Sequence, residues 1–393
     1  MNIGIITFVK CNNYGAELQA YALQKKLNDL GHNAEIIDVE KDMGALYRRP
    51  STYRTAIINR YKYFGLLKGT LKVVQLIYDK YCAKKSIAMD ADLICRKRKK
   101  FHDFFYLETR HSDHHYTLDE IRSAESLPYD VLIAGSDQIW NYQQTDYLDV
   151  YFLMMAKDWN IKRMSYAASF GVKKIPNDKK NMYKMYLENL DAISVREIDG
   201  LDIVRSCSKC EVSMVLDPTL LLNKSVWVRN LVKDDFLPKE KKYVVIYTLS
   251  GSRYIYDLAK RIAAQLNVEV LNIKGGFKKA EDVNGVQHVC DAGPGDFISI
   301  YNHAAYIITD SFHGTAFALN FNVPFTTLLN PVSSINSRAL SILKLTKMED
   351  RLIYDDGTNS FPDKLDVDFS VANREIERLR KESLCFLQSN LTK

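Results

Sequence analysis

One short stretch places residues with chemical uses where a strand would turn into a helix: TDSFHGTAFALN, Thr309 to Asn320. The apolar run Ala304-Ala305-Tyr306-Ile307-Ile308 precedes the turn and reads as a buried strand. Thr315-Ala316-Phe317-Ala318-Leu319 follows and reads as the start of a helix. Ser311-Phe312-His313-Gly314 is then both the carboxyl end of a strand and a helix N-terminus. Free backbone N–H groups and the helix dipole favour an anion at such a place. Gly314 would let a ligand approach the backbone closely, Ser311 can cap the helix or bond a ligand, and the His313 imidazole can transfer a proton. The same residues also suit a plain cap beside a histidine bonded to a neighbouring carbonyl.

Other polar clusters end other expected strands. Arg196 follows an apolar run and is followed by Glu197. A guanidinium there can grip a carboxylate or phosphate in bidentate fashion, or simply pair with its neighbour. Asn12, Asn13 and Tyr14 follow the first strand, and Asp137 and Gln138 follow the third. Amides, carboxylates and aromatics bind sugar hydroxyls, so these five are the acceptor-side expectation, with Asp137 as a general base for a hydroxyl. Asn-Asn and Gly-Ser-Asp also make ordinary turns and caps. No GxGxxG follows the first strand, and no Walker loop or HExxH occurs. His111-Ser112-Asp113-His114-His115 has metal-ligand residues but reads as a surface loop, and no metal or cofactor is called for.

The elements that must position these groups follow from periodicity. Ile3–Val9 reads as a strand, Ala16–Leu30 as a helix stopped by Gly31, and Glu35–Val39 as a second strand, a βαβ start that implies a parallel sheet. Tyr129–Ala134, Lys162–Ala168, Asp191–Val195 and Val212–Leu216 continue the set. Tyr243–Leu249, Val268–Ile273, Val286–His288 and Tyr306–Thr309 begin a second set, with helices at Tyr254–Leu266 and Gly295–Ala304. The expected fold class is α/β, with two doubly wound Rossmann-like domains facing a cleft, ligands lying beyond the carboxyl ends of the strands. The expected boundaries are residues 1–222 for an acceptor-side domain with a basic helical insertion at about 45–120, then a polar linker at 223–241. A donor-side domain at 242–365 follows, and a helix at 366–393 packs back toward the first domain.

Composition sets the outer limits. The 393 residues are 47% hydrophobic and 26% charged, which marks a folded chain too long for one ordinary core. No apolar run spans a bilayer, and Ile3-Gly4-Ile5-Ile6 reads as a strand rather than a signal peptide. Seven cysteines without even spacing suggest reduced thiols in the cytoplasm, and Cys207-Ser208-Lys209-Cys210 reads as a turn. The net charge of +6 is uneven: Arg48–Lys100 holds 15 Lys and Arg against 3 Asp and Glu, so the remainder is acidic. Aromatics interleave with the basic residues. A solvated helical face is the plain reading, and peripheral contact with the inner, anionic face of the membrane the sharper one; nucleic acid is not the expected partner.

Several stretches together resemble the polysaccharide pyruvyl transferase family: NNYGAELQAYALQ, VLIAGSDQIWN, RMSYAASFG, ISVRE, VLDPTLLL and ITDSFHGTAFALNFNVPF, with Ser337-Arg338 and MEDRL later. They run in order from residue 3 to about residue 352. The resemblance implies a fold similar to GT-B glycosyltransferases. It also implies transfer of pyruvate from phosphoenolpyruvate to a sugar of a cell-surface polysaccharide or its lipid-linked precursor, with ketal formation and release of phosphate. It further implies that His313 and Arg196 serve the phosphoenolpyruvate site, with Ser311, Phe312 and Gly314 around it. Many relatives carry arginine or leucine at the Phe312 position. A glycosyltransferase using a nucleotide-sugar donor, or a non-catalytic sugar-binding relative, are the competing readings.

Overall fold

Short runs of Ile, Val and Leu flanked by amphipathic helices account for the architecture. In the computed structural model the described residues are 1–40, 70, 91–155, 160–233, 236–238, 241–249, 254–275, 283–331, 337–356, 358 and 360–392. The first half runs β1 (Asn2–Ile6), α1 (Tyr14–Asp29), β2 (Asn33–Ile36), α2 (Ala91–Asp103), α3 (Leu118–Ser123), β3 (Val131–Ala134), α4 (Leu148–Tyr151), β4 (Lys162–Ser165), α5 (Lys180–Leu187), β5 (Ile193–Val195), α6 (Ile198–Cys207) and β6 (Val212–Met214). After α7 (Lys224–Leu231) the second half runs β7 (Tyr243–Thr248), α8 (Tyr254–Leu266), β8 (Glu269–Lys274), β9 (Val286–Val289), α9 (Pro294–Asn302), β10 (Ala304–Thr309), α10 (Phe312–Phe321), β11 (Phe325–Leu329), α11 (Ser337–Thr346), β12 (Leu352–Tyr354) and α12 (Ser370–Asn390).

Among the described residues every strand pairing is parallel. Parallel sheets are covered on both faces, which is why their strands are near-continuous apolar runs. The second sheet has the order β9-β8-β7-β10-β11-β12, the 3-2-1-4-5-6 winding of dinucleotide-binding folds. The first sheet has β2-β1-β3-β4. Parallel bridges extend it to β5 and β6 on one side and to the 111–116 segment beyond β2 on the other. Counting that segment as the third strand gives the same winding. Each sheet therefore has a switch point, β1/β3 in the first and β7/β10 in the second, where a crevice opens at the carboxyl ends.

Three features depart from the sequence expectation. The polar 223–241 stretch is not merely a linker: it opens with α7, capped by Asn223, whose Trp227 is fully buried between Tyr21 and Phe317. A charged surface pattern concealed one large anchoring residue. Strands β11 and β12 were not expected, because FTTLL and LIY are too short to show a period. Of the Arg48–Lys100 segment, only Thr70 and 91–100 are described, so most of the basic region lies outside the described residues.

Helix α12 straddles both halves. Ala372, Ile376 and Leu379 join the core of the second sheet, while Leu387 and Leu391 pack with Ile3, Ile5 and Leu23 of the first. The Leu216 N–H donates to Ser383 Oγ at 2.9 Å, and Arg380 Nε donates to the Leu220 carbonyl at 2.8 Å. Among the described residues no helix is long and apolar enough to cross a membrane.

Candidate active site

Four strand ends of the first sheet and two helix starts from the second half meet at one buried cluster of charge. Arg196, at the end of β5, is at its centre with a side chain fully removed from solvent. Its Nη1 donates to Asp217 Oδ2 at 2.7 Å and its Nη2 to Asp137 Oδ1 at 3.1 Å. Ser136 Oγ lies 3.3 Å from Nη1, and the Phe312 ring covers the guanidinium at 4.6 Å. The bidentate grip expected of Arg196 thus goes to two protein carboxylates. Asp137 reaches it from a left-handed backbone, φ 78°, at the end of β3.

Asp217, after β6, was not singled out for a role in the sequence, yet it organises the cluster. It accepts from Arg196, from Ser136 Oγ at 2.8 Å and from Thr219, and His313 Nε2 stands 3.7 Å away. Burial pushes its carboxyl up, but His313, Arg196 and Thr219 outweigh that and hold it well below the usual carboxylate range. The same contest leaves Asp137 below its ordinary value: burial raises it, while Arg196, His313 and Arg338 lower it more. Glu197 is the opposite case. Burial pushes it up and prevails, although its Oε1 accepts from Ser169 Oγ and the Phe170 N–H. Its Oε2 is buried with no hydrogen-bond partner. The signal for Asp217 and Glu197 was there: both sit at the polar carboxyl end of an apolar run.

The second half contributes the start of α10. Ser311 caps it, its Oγ accepting from the Gly314 N–H at 3.4 Å. Gly314 makes room for the protein itself, since a Cβ there would lie 2.2 Å from Thr309 Oγ1. His313 is buried, and its Nε2 has no hydrogen-bond partner. The other face of its ring rests on the first half: a Cβ on Gly15 would lie 2.0 Å from His313 Nδ1. Gly15 is therefore a site residue that sequence reasoning missed, visible only as the glycine opening α1.

The acceptor-side expectations divide. Asn13 caps α1, its Oδ1 accepting from the Gly15 N–H at 3.0 Å, and is exposed. Asn12 takes a left-handed φ of 50° and is half-buried. Tyr14 is fully buried; its hydroxyl donates to the Ala292 carbonyl at 2.9 Å, and its ring stacks on Phe297. Gln138 Oε1 accepts from Asn141 Nδ2 at 3.0 Å and lies against Gly171. The 111–115 histidines line the sheet edge: His115 is 3.1 Å from Asp38 and His114 is 3.6 Å from Glu120. Among the described residues no group of three metal-ligating side chains occurs.

Helix α2 joins the halves beside this site. Lys97 is fully buried, donates to the Lys274 carbonyl at 2.6 Å and stands over the Tyr14 ring. Burial lowers its pKa to about 8, against the pull of Cys290 and Asp291. Arg96 and Lys100 pair with Asp291 and Asp296 of the second half.

Two Rossmann-wound sheets whose switch points face one another across such a cluster define an α/β chain of GT-B-like architecture. The family model for polysaccharide pyruvyl transferase matches residues 13–331, and the chain belongs to that family. Membership makes it a transferase-type enzyme of polysaccharide biosynthesis. No curated protein matches the chain. Among solved structures it is similar to the glycosyltransferase SnogD from Streptomyces nogalater, at 13% identity and TM-score 0.45, covering 98% of this chain and 95% of that one. It is also similar to UDP-GlcNAc 2-epimerase from Methanocaldococcus jannaschii, at 10% identity and TM-score 0.45, covering 96% and 92%. Neither likeness bears on the chemistry.

Proposed function

We propose that the chain transfers pyruvate from phosphoenolpyruvate onto two hydroxyls of a sugar, forming a ketal and releasing phosphate. The observation that carries this reading is a buried cluster at facing switch points, in a chain of this family, where a histidine with an open Nε2 meets a helix start and two guanidiniums. The transfer balances as follows. A proton goes to C3 of the enol, one sugar oxygen bonds to C2, and the C2–O bond to phosphate breaks. The second oxygen then completes the ketal. Of the two hydroxyl protons lost, one replaces the proton given to C3 and one leaves with phosphate.

In this reading His313 delivers the proton to C3 or holds the phosphate. Arg196 and Phe312 act as a fixed platform, since that guanidinium is already held by Asp137 and Asp217. Asp137 stays ionised between two arginines, which makes it a weaker base than the departing phosphate. Asn12, Asn13 and Gln138 border the acceptor side. The lipid-linked acceptor and peripheral membrane contact through Arg48–Lys100 belong to this proposal as well.

A second reading has its own support. The 3-2-1-4-5-6 winding of the second half is one that binds nucleotides at its switch point, which suits a nucleotide-sugar donor. A thermal-shift panel separates the two. A ligand at 100 times its Kd stabilises by about 2.7 kcal/mol. Phosphoenolpyruvate should produce that shift; a shift with UDP-sugars and none with phosphoenolpyruvate would replace the first reading with the second.

A further inference from the structure

Among the described residues of the cluster, Arg338 is the arginine whose side chain makes no hydrogen bond to the protein. It opens α11 in the second half and reaches across to the first: its Nη1 lies 3.9 Å from Asp137 Oδ1, beyond hydrogen-bond length. Its Nε is buried with no partner, and its side chain is 9% exposed. Arg196 also has a buried Nε without a partner, but both of its Nη groups already donate, to Asp217 and Asp137. The start of α11 is pinned over the site by Ser337 Oγ donating to Asp199 and by the Ile198 N–H donating to Ser341 Oγ, so the position of Arg338 is built and not incidental. Burial and the nearby Arg196 guanidinium pull its pKa down to about 10, against Asp137, Glu197 and Asp217. A buried guanidinium without a full partner is costly, and an arriving anion removes that cost.

We infer that Arg338 is the residue that receives the anionic group of the donor, and that Arg196 is a positioning residue which holds Asp137 and Asp217 in place for it. The inference rests on the anionic-donor reading above and deepens it. Two consequences separate a ligand-receiving role from a structural one. Removing Arg338 takes away an unsatisfied charge, so the unliganded protein should be as stable as before or more so. Removing it also takes away the anion's fork of donors, so affinity should fall.

The test is calorimetric titration of the full chain with phosphoenolpyruvate, inorganic phosphate and a UDP-sugar, on wild type, Arg338→Ala and Arg338→Lys. Arg338→Ala should keep or raise the Tm of the unliganded protein and weaken phosphoenolpyruvate by about 10- to 100-fold; Arg338→Lys should recover part of the loss. In turnover, KM should rise more than kcat falls. Wild-type Kd in Arg338→Ala, or a clear drop in Tm for both variants, would overturn the assignment while leaving the pyruvyl reading intact. If wild type ignores phosphoenolpyruvate but binds a UDP-sugar through Arg338, the donor reading fails and the assignment stands. Binding of none of the three probes would sink both.

Discussion

At the scale of the residue, three buried carboxyls on one arginine behave in opposite ways. Asp217 is held below its ordinary pKa, so its contribution to stability is present above the unfolded value of about 3.9 and is lost only as pH falls through its lower folded value. Asp217→Asn should therefore cost about 3–5 kcal/mol in denaturant unfolding, with a deficit that stays flat from pH 8 down to about 4. Glu197 is raised, so any stability it contributes is present below about 4.3 and is lost as pH rises through its folded value. Glu197→Gln should gain on wild type over that rise, and a flat difference would show that the carboxyl ionises freely. The imidazole is tested through its neighbour as well as directly. His313→Ala should lower turnover by about 10²–10⁴-fold if the ring delivers the proton. Gly15→Ala, which drives a methyl into the ring, should lower it by about 10²-fold with the fold retained; unchanged kcat in Gly15→Ala would mean that the ring's position is unimportant.

At the scale of the element, the strands that carry the site were legible and the contacts that close it were not. Apolar runs ending in polar clusters located Asp137, Arg196 and His313 at strand ends, because a parallel sheet demands both features. What could not be read was which cluster meets which. Arg196 has a partner 21 residues away in Asp217 and another 59 away in Asp137, and no local pattern encodes such pairings. Trp227 was hidden for a similar reason: a single buried ring inside a charged stretch leaves no period. Helix α2 shows the same limit, since Arg96, Lys97 and Lys100 read as part of a basic run, yet all three engage the second half. Lys97 carries a prediction at this scale. Its folded pKa of about 8 lies below the unfolded value of about 10.4, so the unfolded chain binds more protons between them. Stability of wild type relative to Lys97→Met should thus rise as pH climbs from about 8 to 10. A constant difference, measured by urea unfolding, would place that ammonium in contact with water.

At the scale of the whole molecule, the two sheets meet through their carboxyl ends, and the site is complete only when they do. Gly15, Asp137, Arg196 and Asp217 come from the first half, His313, Phe312 and Arg338 from the second. Tyr14 and α12 tie the halves together on either side of the cluster. Such a site sequesters its charges between two bodies, where they act in a medium of low dielectric and are stronger than in water. The most direct measurement is of the transfer itself. Phosphoenolpyruvate labelled with ¹³C at C2 is incubated with the full chain and a sugar bearing a free hydroxyl pair, and the carbon is followed by NMR. The account predicts that the enol carbon disappears and a ketal carbon appears on the sugar, with one phosphate released per ketal. Unreacted phosphoenolpyruvate in the presence of acceptors, alongside UDP release from a nucleotide sugar with the same acceptors, would contradict it.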